Sequence, residues 1–226
     1  MPQPMPLPRT RAAVLAIAMA CLVGCDGAPP VDAPAMTAKP AAPPHSDFPD
    51  LTIAEVEEMR TSGVRDAADI PRRTPDILYV PTPQRAVDAM LEMADVGPGD
   101  VVYDLGSGDG RIPITAAKGF GARGLGVDID PVMVREATAN AARAGVADRV
   151  TFREDDIFDT EIAGATVVTL YLLEPLNVRL KPRLLAELKP GTRIVSYEWR
   201  MGDWSPQRSV MVDGHPVYLW TVPRRD

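Results

Sequence analysis

The stretch VVYDLGSGDGR, residues Val101 to Arg111, decides the fold. A short run rich in valine carries one acid near its end and breaks into three glycines spaced by single residues. Valine favours a pleated strand. Glycines directly behind a strand let the backbone turn tightly and come close to a ligand with no Cβ in between. Strand, glycine turn and helix together open a doubly wound α/β sheet, so the residues downstream should repeat that alternation.

They do. Apolar, β-rich runs at Val101–Leu105, Gly124–Asp128, Val150–Arg153, Ala165–Tyr171 and Arg193–Tyr197 alternate with helical patterns at about Arg111–Lys118, Pro131–Ala144 and Pro175–Leu188, while the connection after Asp156 is weakly marked. The ending RSVMVDGHPVYLWTVP alternates and turns at Asp213-Gly214, which predicts a hairpin of two closing strands. The fold class expected is α/β: a Rossmann-like, doubly wound, mainly parallel sheet closed by a C-terminal β-hairpin, in one domain. Upstream, PQRAVDAMLEMADVGPGD gives a helix with Ala86, Val87, Met90, Leu91 and Ala94 on one face, stopped by Gly97-Pro98-Gly99. LTIAEVEEMRTSG reads as a further short helix capped by Thr52, with Glu55 three residues on and Gly63 after its end.

The first residues differ in kind. Arg9 and Arg11 precede an apolar stretch that ends Leu22-Val23-Gly24-Cys25, too short to span a bilayer and shaped as an export signal. Its end resembles the lipobox of bacterial lipoproteins, which implies cleavage before Cys25 and a lipid on that sulfur. Residues 26–46 are rich in Pro and Ala with no apolar period, a spacer that cannot bury enough surface to fold. The organisation expected is a signal peptide over 1–24, a linker over 25–46, a helical pre-core segment over 47–98 and the core over 99–226. An exported lipoprotein held at a membrane follows, or a cytoplasmic protein if translation starts downstream.

The chain has 226 residues, 46% of them hydrophobic and 24% charged, with 24 prolines concentrated before the core. That suits one globular domain with a tail. The net charge of −7 becomes −9 without residues 1–24, 22 bases against 31 acids, and argues against a general nucleic-acid binder, which needs clustered Lys and Arg. No metal site is expected.

The glycine turn admits two adenosine ligands, a nicotinamide dinucleotide and S-adenosylmethionine (SAM). The dinucleotide fingerprint needs a glycine three positions past the second for close helix packing; here Arg111 stands there. Asp104, two residues before Gly106, suits a ligand with a sulfonium and an α-ammonium, and would repel two phosphates. Asp128 closes the second strand 20 residues after Gly108, the offset of a carboxylate that accepts both ribose hydroxyls of either ligand. Asp130, before Pro131, reads as a helix N-cap.

DLGSGDGR resembles the SAM motif of class I, seven-strand methyltransferases, and is close to its form in the non-SET lysine-methylating members. The resemblance implies SAM as cofactor, held by Asp104, Gly106, Ser107, Gly108, Gly110, Asp128 and Ile129. In VTFREDDIFD it implies Asp156 on the adenine amino group and Ile157 against the ring, with Asp155 and Asp159 as solvated turn charges. YVPT, Tyr79 to Thr82, looks like the pre-core segment that places a Tyr and a Thr at the methionine end. TLYLLEPLNVRLKPRLLAELKPGTRIVS is similar to the fourth strand, following helix and fifth strand of that group. Departures lie beside the methyl group, where this chain has Val168, Thr169 and Tyr171, with Thr169 expected among the cofactor contacts, and in LLEPLN, where the acid precedes the proline.

The activity implied is methyl transfer to a nucleophile, with a protein lysine favoured by the likeness. A lysine amine must lose a proton first, which an apolar, aromatic-lined channel promotes; Tyr79, Tyr171 and Trp199 are its candidate walls and Glu198 the candidate proton acceptor. Gly202-Asp203-Trp204 is either a lid or an ordinary turn. Two rivals stand beside this reading: a lipid-anchored SAM or nucleoside-binding module without turnover, and an NAD-dependent oxidoreductase disfavoured by Asp104 and Arg111.

Overall fold

The computed structural model describes residues 79–225; the expected signal, spacer and first helix lie outside them. Eleven elements follow in order: α1 (Gln84–Met93), β1 (Val101–Leu105), α2 (Arg111–Phe120), β2 (Arg123–Asp128), α3 (Pro131–Arg143), β3 (Val150–Glu154), β4 (Val167–Leu170), α4 (Glu174–Glu187), β5 (Arg193–Tyr197), β6 (Arg208–Val212) and β7 (His215–Thr221). They build a seven-stranded sheet in the order β3-β2-β1-β4-β5-β7-β6. The first five strands run parallel, and β7 is antiparallel to both β5 and β6.

The period of two in the strands divides the core between two faces. Val102, Val167, Val195 and Val217 pack with Ala86, Val87, Met90 and Leu91 of α1 on one face. Leu105, Val168, Leu170, Ile194 and Trp220 pack with Leu180 and Leu184 of α4 on the other. Strands apolar on both faces are what parallel strands covered by helices require.

Boundaries move where side chains find other work. The fourth strand spans Val167–Leu170, shorter than expected, although Thr166 just before it still bonds Val101 O and Arg193 N through its backbone and donates its hydroxyl to Asp100 Oδ1 at 2.7 Å. Helix α1 ends before its glycines. Asp95 takes φ +50°, with Asp95 N donating to Glu92 O at 2.9 Å and Val96 N to Leu91 O at 3.1 Å, a Schellman ending with Asp in the position usual for Gly. The weakly marked connection after Asp156 is an irregular turn held by Arg183, whose guanidinium donates to the carbonyls of Ile157 at 3.1 Å and Thr160 at 2.8 Å. The 213–214 turn stands as expected, with φ +49° at Asp213 and +88° at Gly214, the two positive angles of a hairpin turn that matches strand twist.

The chain runs outward from β1 through β2 to β3, then restarts at β4 on the other side of β1. The carboxyl ends of β1 and β4 therefore flank the point where a doubly wound sheet opens a crevice for a ligand.

Candidate functional site

The glycine turn sits at that crevice. Gly106 N and Ser107 N both donate to the Val127 carbonyl, at 2.8 and 2.9 Å, so the turn is moored to β2. Gly108, at φ +49°, lies under the Tyr79 ring: a Cβ there would stand 2.0 Å from Tyr79 Cε2. Gly110, at φ +81°, meets the Phe152 ring and Ala137 so closely that a Cβ would stand 2.5 Å from Phe152 Cζ. The close-packing glycine of this turn is Gly110, one position earlier than in the dinucleotide pattern.

Arg111, which departs from the dinucleotide pattern, has a structural role of its own. Its guanidinium is buried and forks onto the Asp109 carboxylate, Nη2 to Oδ2 at 2.7 Å and Nε to Oδ1 at 3.0 Å. Nη1 donates to the Thr82 carbonyl at 2.9 Å, and Asn140 Nδ2 donates to the Asp109 carbonyl at 2.8 Å. The pair thus ties the pre-core YVPT segment and α3 to the turn. Asp109 is the residue that reading the sequence missed; an acid two positions before a base in a glycine turn was the available signal.

Asp104, the penultimate residue of β1, is 3% exposed. The parallel register sets it beside Thr169, whose hydroxyl donates to its Oδ1 at 2.7 Å. Burial pushes the carboxyl up to about 8, and its charged neighbours Asp128 and Asp109, both carboxylates, push the same way against the Thr169 hydrogen bond. Thr169 is fully buried and serves here as the support beneath Asp104. Asp128 accepts from Gly108 N at 2.8 Å and Asp130 N at 3.0 Å, one on each oxygen, and burial raises its pKa as well. Each oxygen keeps a lone pair for a hydroxyl donor. Ile129 follows it, half-buried. Asp130 accepts from Val132 N at 2.9 Å, the expected N-cap.

The acidic turn lies next to these groups. Asp155 N donates to the Asp128 carbonyl at 3.0 Å. Asp155 is more than a solvated charge: its two oxygens accept from Asp156 N and from the Thr160 hydroxyl, each at 2.9 Å. Asp156 Oδ1 accepts from Phe158 N at 2.8 Å, and Ile157 packs half-buried against the α4 side of the core.

Tyr79 and Ser107 each bury a hydroxyl with no hydrogen-bond partner among the described residues. Burial, then the nearby Asp109, hold the Tyr79 phenol far above its ordinary range, so it remains a neutral donor. Thr82 is buried. Tyr171 and Glu198 meet: Tyr171 Oη donates to Glu198 Oε2 at 3.3 Å, and burial followed by Glu198 raises the phenol strongly. Trp199 is half-buried and contributes its carbonyl to a hydrogen bond from Ser196 Oγ at 2.7 Å. Residues 202–204 form a fixed turn: Trp220 Nε1 donates to the Trp204 carbonyl at 2.8 Å, Met201 bridges Trp204, and Lys181 pairs with Asp203.

The donor set fits SAM. A buried carboxyl surrounded by further carboxylates is held neutral at a cost that a ligand ammonium or sulfonium relieves, and a pyrophosphate would add to the repulsion. The guanidinium nearest the turn is already satisfied by Asp109 and Thr82.

Residues 104–208 match the ANTKMT methyltransferase domain family. The chain is 46% identical over 153 residues to a protein-lysine N-methyltransferase of Saccharolobus islandicus (strain REY15A), covering 66% of this chain and 95% of that protein. It is 34% identical over 155 residues to the adenine nucleotide translocase lysine N-methyltransferase of Mus musculus, covering 67% of each. A crystal structure of an RNA methyltransferase from Salinibacter ruber in complex with S-adenosyl-L-homocysteine superposes with a TM-score of 0.64 at 55% identity, covering 65% of this chain and 96% of that one.

Proposed function

The chain belongs to the class I, SAM-dependent methyltransferases, and we propose that the nucleophile it methylates is the amine of a protein lysine. When bound, SAM supplies a methyl carbon on a sulfonium, and transfer breaks the C–S bond with its electron pair left on sulfur while the nucleophile forms the new bond. The oxidoreductase and the inert binding module do not account for this membership.

What the chain's own residues add is placement and proton handling. Asp104, with Thr169 behind it, would meet the ammonium; Asp128 would accept the ribose hydroxyls; Asp156 and Ile157 would hold the adenine. Gly106, Ser107, Gly108, Gly110 and Ile129 would shape the floor, and Tyr79 and Thr82 would close the methionine end. In-line placement of this kind does most of the work in methyl transfer.

The observation that carries the amine reading is the Tyr171–Glu198 pair at the carboxyl ends of β4 and β5. A phenol that stays protonated beside a carboxylate can take a proton from an ammonium and pass its own on, which a lysine needs and an already neutral nucleophile does not. An RNA acceptor is the second reading, prompted by the naming of the Salinibacter ruber protein. The net charge of −7 and the carboxylates at the crevice count against it.

The test is transfer of radiolabelled methyl from SAM to poly-L-lysine and, in parallel, to RNA transcripts. Label on the polypeptide at lysine is expected; label on RNA alone overturns the lysine acceptor and leaves the methyltransferase. For location, the proposal is an exported protein anchored by lipid on Cys25, with Cys25→Ala expected to abolish incorporation of labelled fatty acid. Undiminished incorporation would remove the anchor.

A further inference from the structure

Glu198 has φ +64°, and Trp199 N donates to the Tyr197 carbonyl, two residues back, at 2.8 Å. This is a γ-turn of the rare positive-φ kind, strained for a side chain that bears a Cβ. Such strain persists only where the surroundings over-determine it, and it clusters at working sites.

The surroundings are on three elements. Glu198 N donates to the Pro216 carbonyl of β7 at 2.7 Å. Asn177 of α4, fully buried, points its amide nitrogen at the Trp199 and Arg200 carbonyls, at 3.4 and 3.3 Å. On β7, His215 Nδ1 lies 2.7 Å from Glu198 Oε1. The other carboxylate oxygen receives the Tyr171 hydroxyl. Tyr197 stands between them, edge-on to Tyr171 at 4.8 Å and tilted to His215 at 6.0 Å.

We infer that His215 is a positioning residue: by binding one oxygen of Glu198 it aims the other at Tyr171, so that Tyr171 and Glu198 can take the proton of an incoming amine. The inference rests on the amine reading above. Stability does not explain the arrangement, because the imidazole is 54% exposed, a half-exposed pair contributes little, and the backbone strain opposes folding. The antiparallel closure of the sheet is what puts His215 there: pairing Tyr197 with Val217 brings the first residue of β7 to the carboxyl end of β5.

The step balances simply. The ammonium R–NH3+ gives one proton to Tyr171 Oη as that hydroxyl passes its own proton to Glu198 Oε2. This leaves R–NH2 with a free lone pair, an unchanged phenol and a neutral carboxylic acid. The acid then returns its proton to water at its exposed side.

Two readouts test this on the full chain. The sequence has two histidines, His45 and His215, so 15N NMR resolves the His215 ring once His215→Ala identifies its signals. Protonation at Nδ1 of the neutral ring is expected in the native protein, shifting toward Nε2 in Glu198→Gln; an Nε2-protonated native ring overturns the inference. In methyl transfer to poly-L-lysine, His215→Ala should lower kcat about tenfold with KM for SAM within about twofold. His215→Asn, whose amide nitrogen overlays Nδ1, should recover most of that loss. Equal kcat in His215→Ala, or equal losses in both variants, overturns it. A native protein that binds SAM in calorimetry but labels no poly-L-lysine removes the amine reading and this inference together, whereas an active native protein with an unaffected His215→Ala removes the inference alone.

Discussion

Asp104 is a carboxyl whose chemistry its neighbours have reversed. With a folded-state pKa of about 8 and an unfolded value of about 3.9, it binds its proton more tightly when folded. Its contribution to stability is therefore complete below about pH 4 and is lost as pH rises toward about 8. Asp104→Asn should flatten the fall of unfolding free energy between pH 5 and 8 in urea titrations; an unchanged slope would place the burden on Asp128. Binding a cation requires the charged form, so SAM affinity should rise with pH through about 8 and binding below that should release a proton. Calorimetry in buffers of different ionisation enthalpy reads this directly. Asp104→Asn should weaken SAM at pH 8 by about tenfold or more, the scale of one charge-assisted hydrogen bond. At Gly110 the constraint is steric. Alanine there would meet Phe152 and Ala137 at under 3 Å with φ +81°, and should cost about 3 kcal/mol of stability from left-handed strain plus overpacking.

At the scale of elements, the buried Asp109–Arg111 pair couples α2, α3 and the pre-core YVPT segment. With side chains 8% and 4% exposed, removing one partner strands a charge. Arg111→Met should cost about 3–5 kcal/mol in urea unfolding, and Asp109→Leu with Arg111→Met should cost less than either alone because no ion is left unpaired. Additive losses would show that the two side chains are not energetically coupled. The β6–β7 hairpin offers a gentler case: nothing lies within 4 Å of a Cβ on Gly214, but its φ is +88°. Gly214→Ala should cost about 1 kcal/mol from backbone strain alone, while Asp213→Asn should be near neutral, since Asn accepts the same angle.

Across the whole molecule the excess of acid sets how partners approach. A lysine-rich acceptor is drawn to a chain of net charge −7, and that attraction is screened over about 10 Å at 0.1 M salt. KM for poly-L-lysine should rise steeply between 50 and 300 mM salt while SAM affinity, set in a buried crevice, changes little; parallel changes in both would contradict steering. The order of helices and strands, the glycine turn, Asp104, Asp128 and the Asp130 cap were legible in sequence, because each depends on local spacing: a period of two or 3.6, a turn residue, a cap before a proline. The partners of those groups were not. The sequence showed Arg111 only as a misfit to the dinucleotide pattern, and folding brings Asp109 and the Thr82 carbonyl around it; strand register sets Thr169 beneath Asp104; and His215 carried no local signal at all. The sequence by itself determined where the glycine turn lies and what charge it presents, since both reside in contiguous residues. Only the tertiary structure decided which groups are buried against one another, because pairing across β1, β4, β5 and β7 joins residues up to 65 positions apart, and burial at Asp104 is what raises its proton affinity.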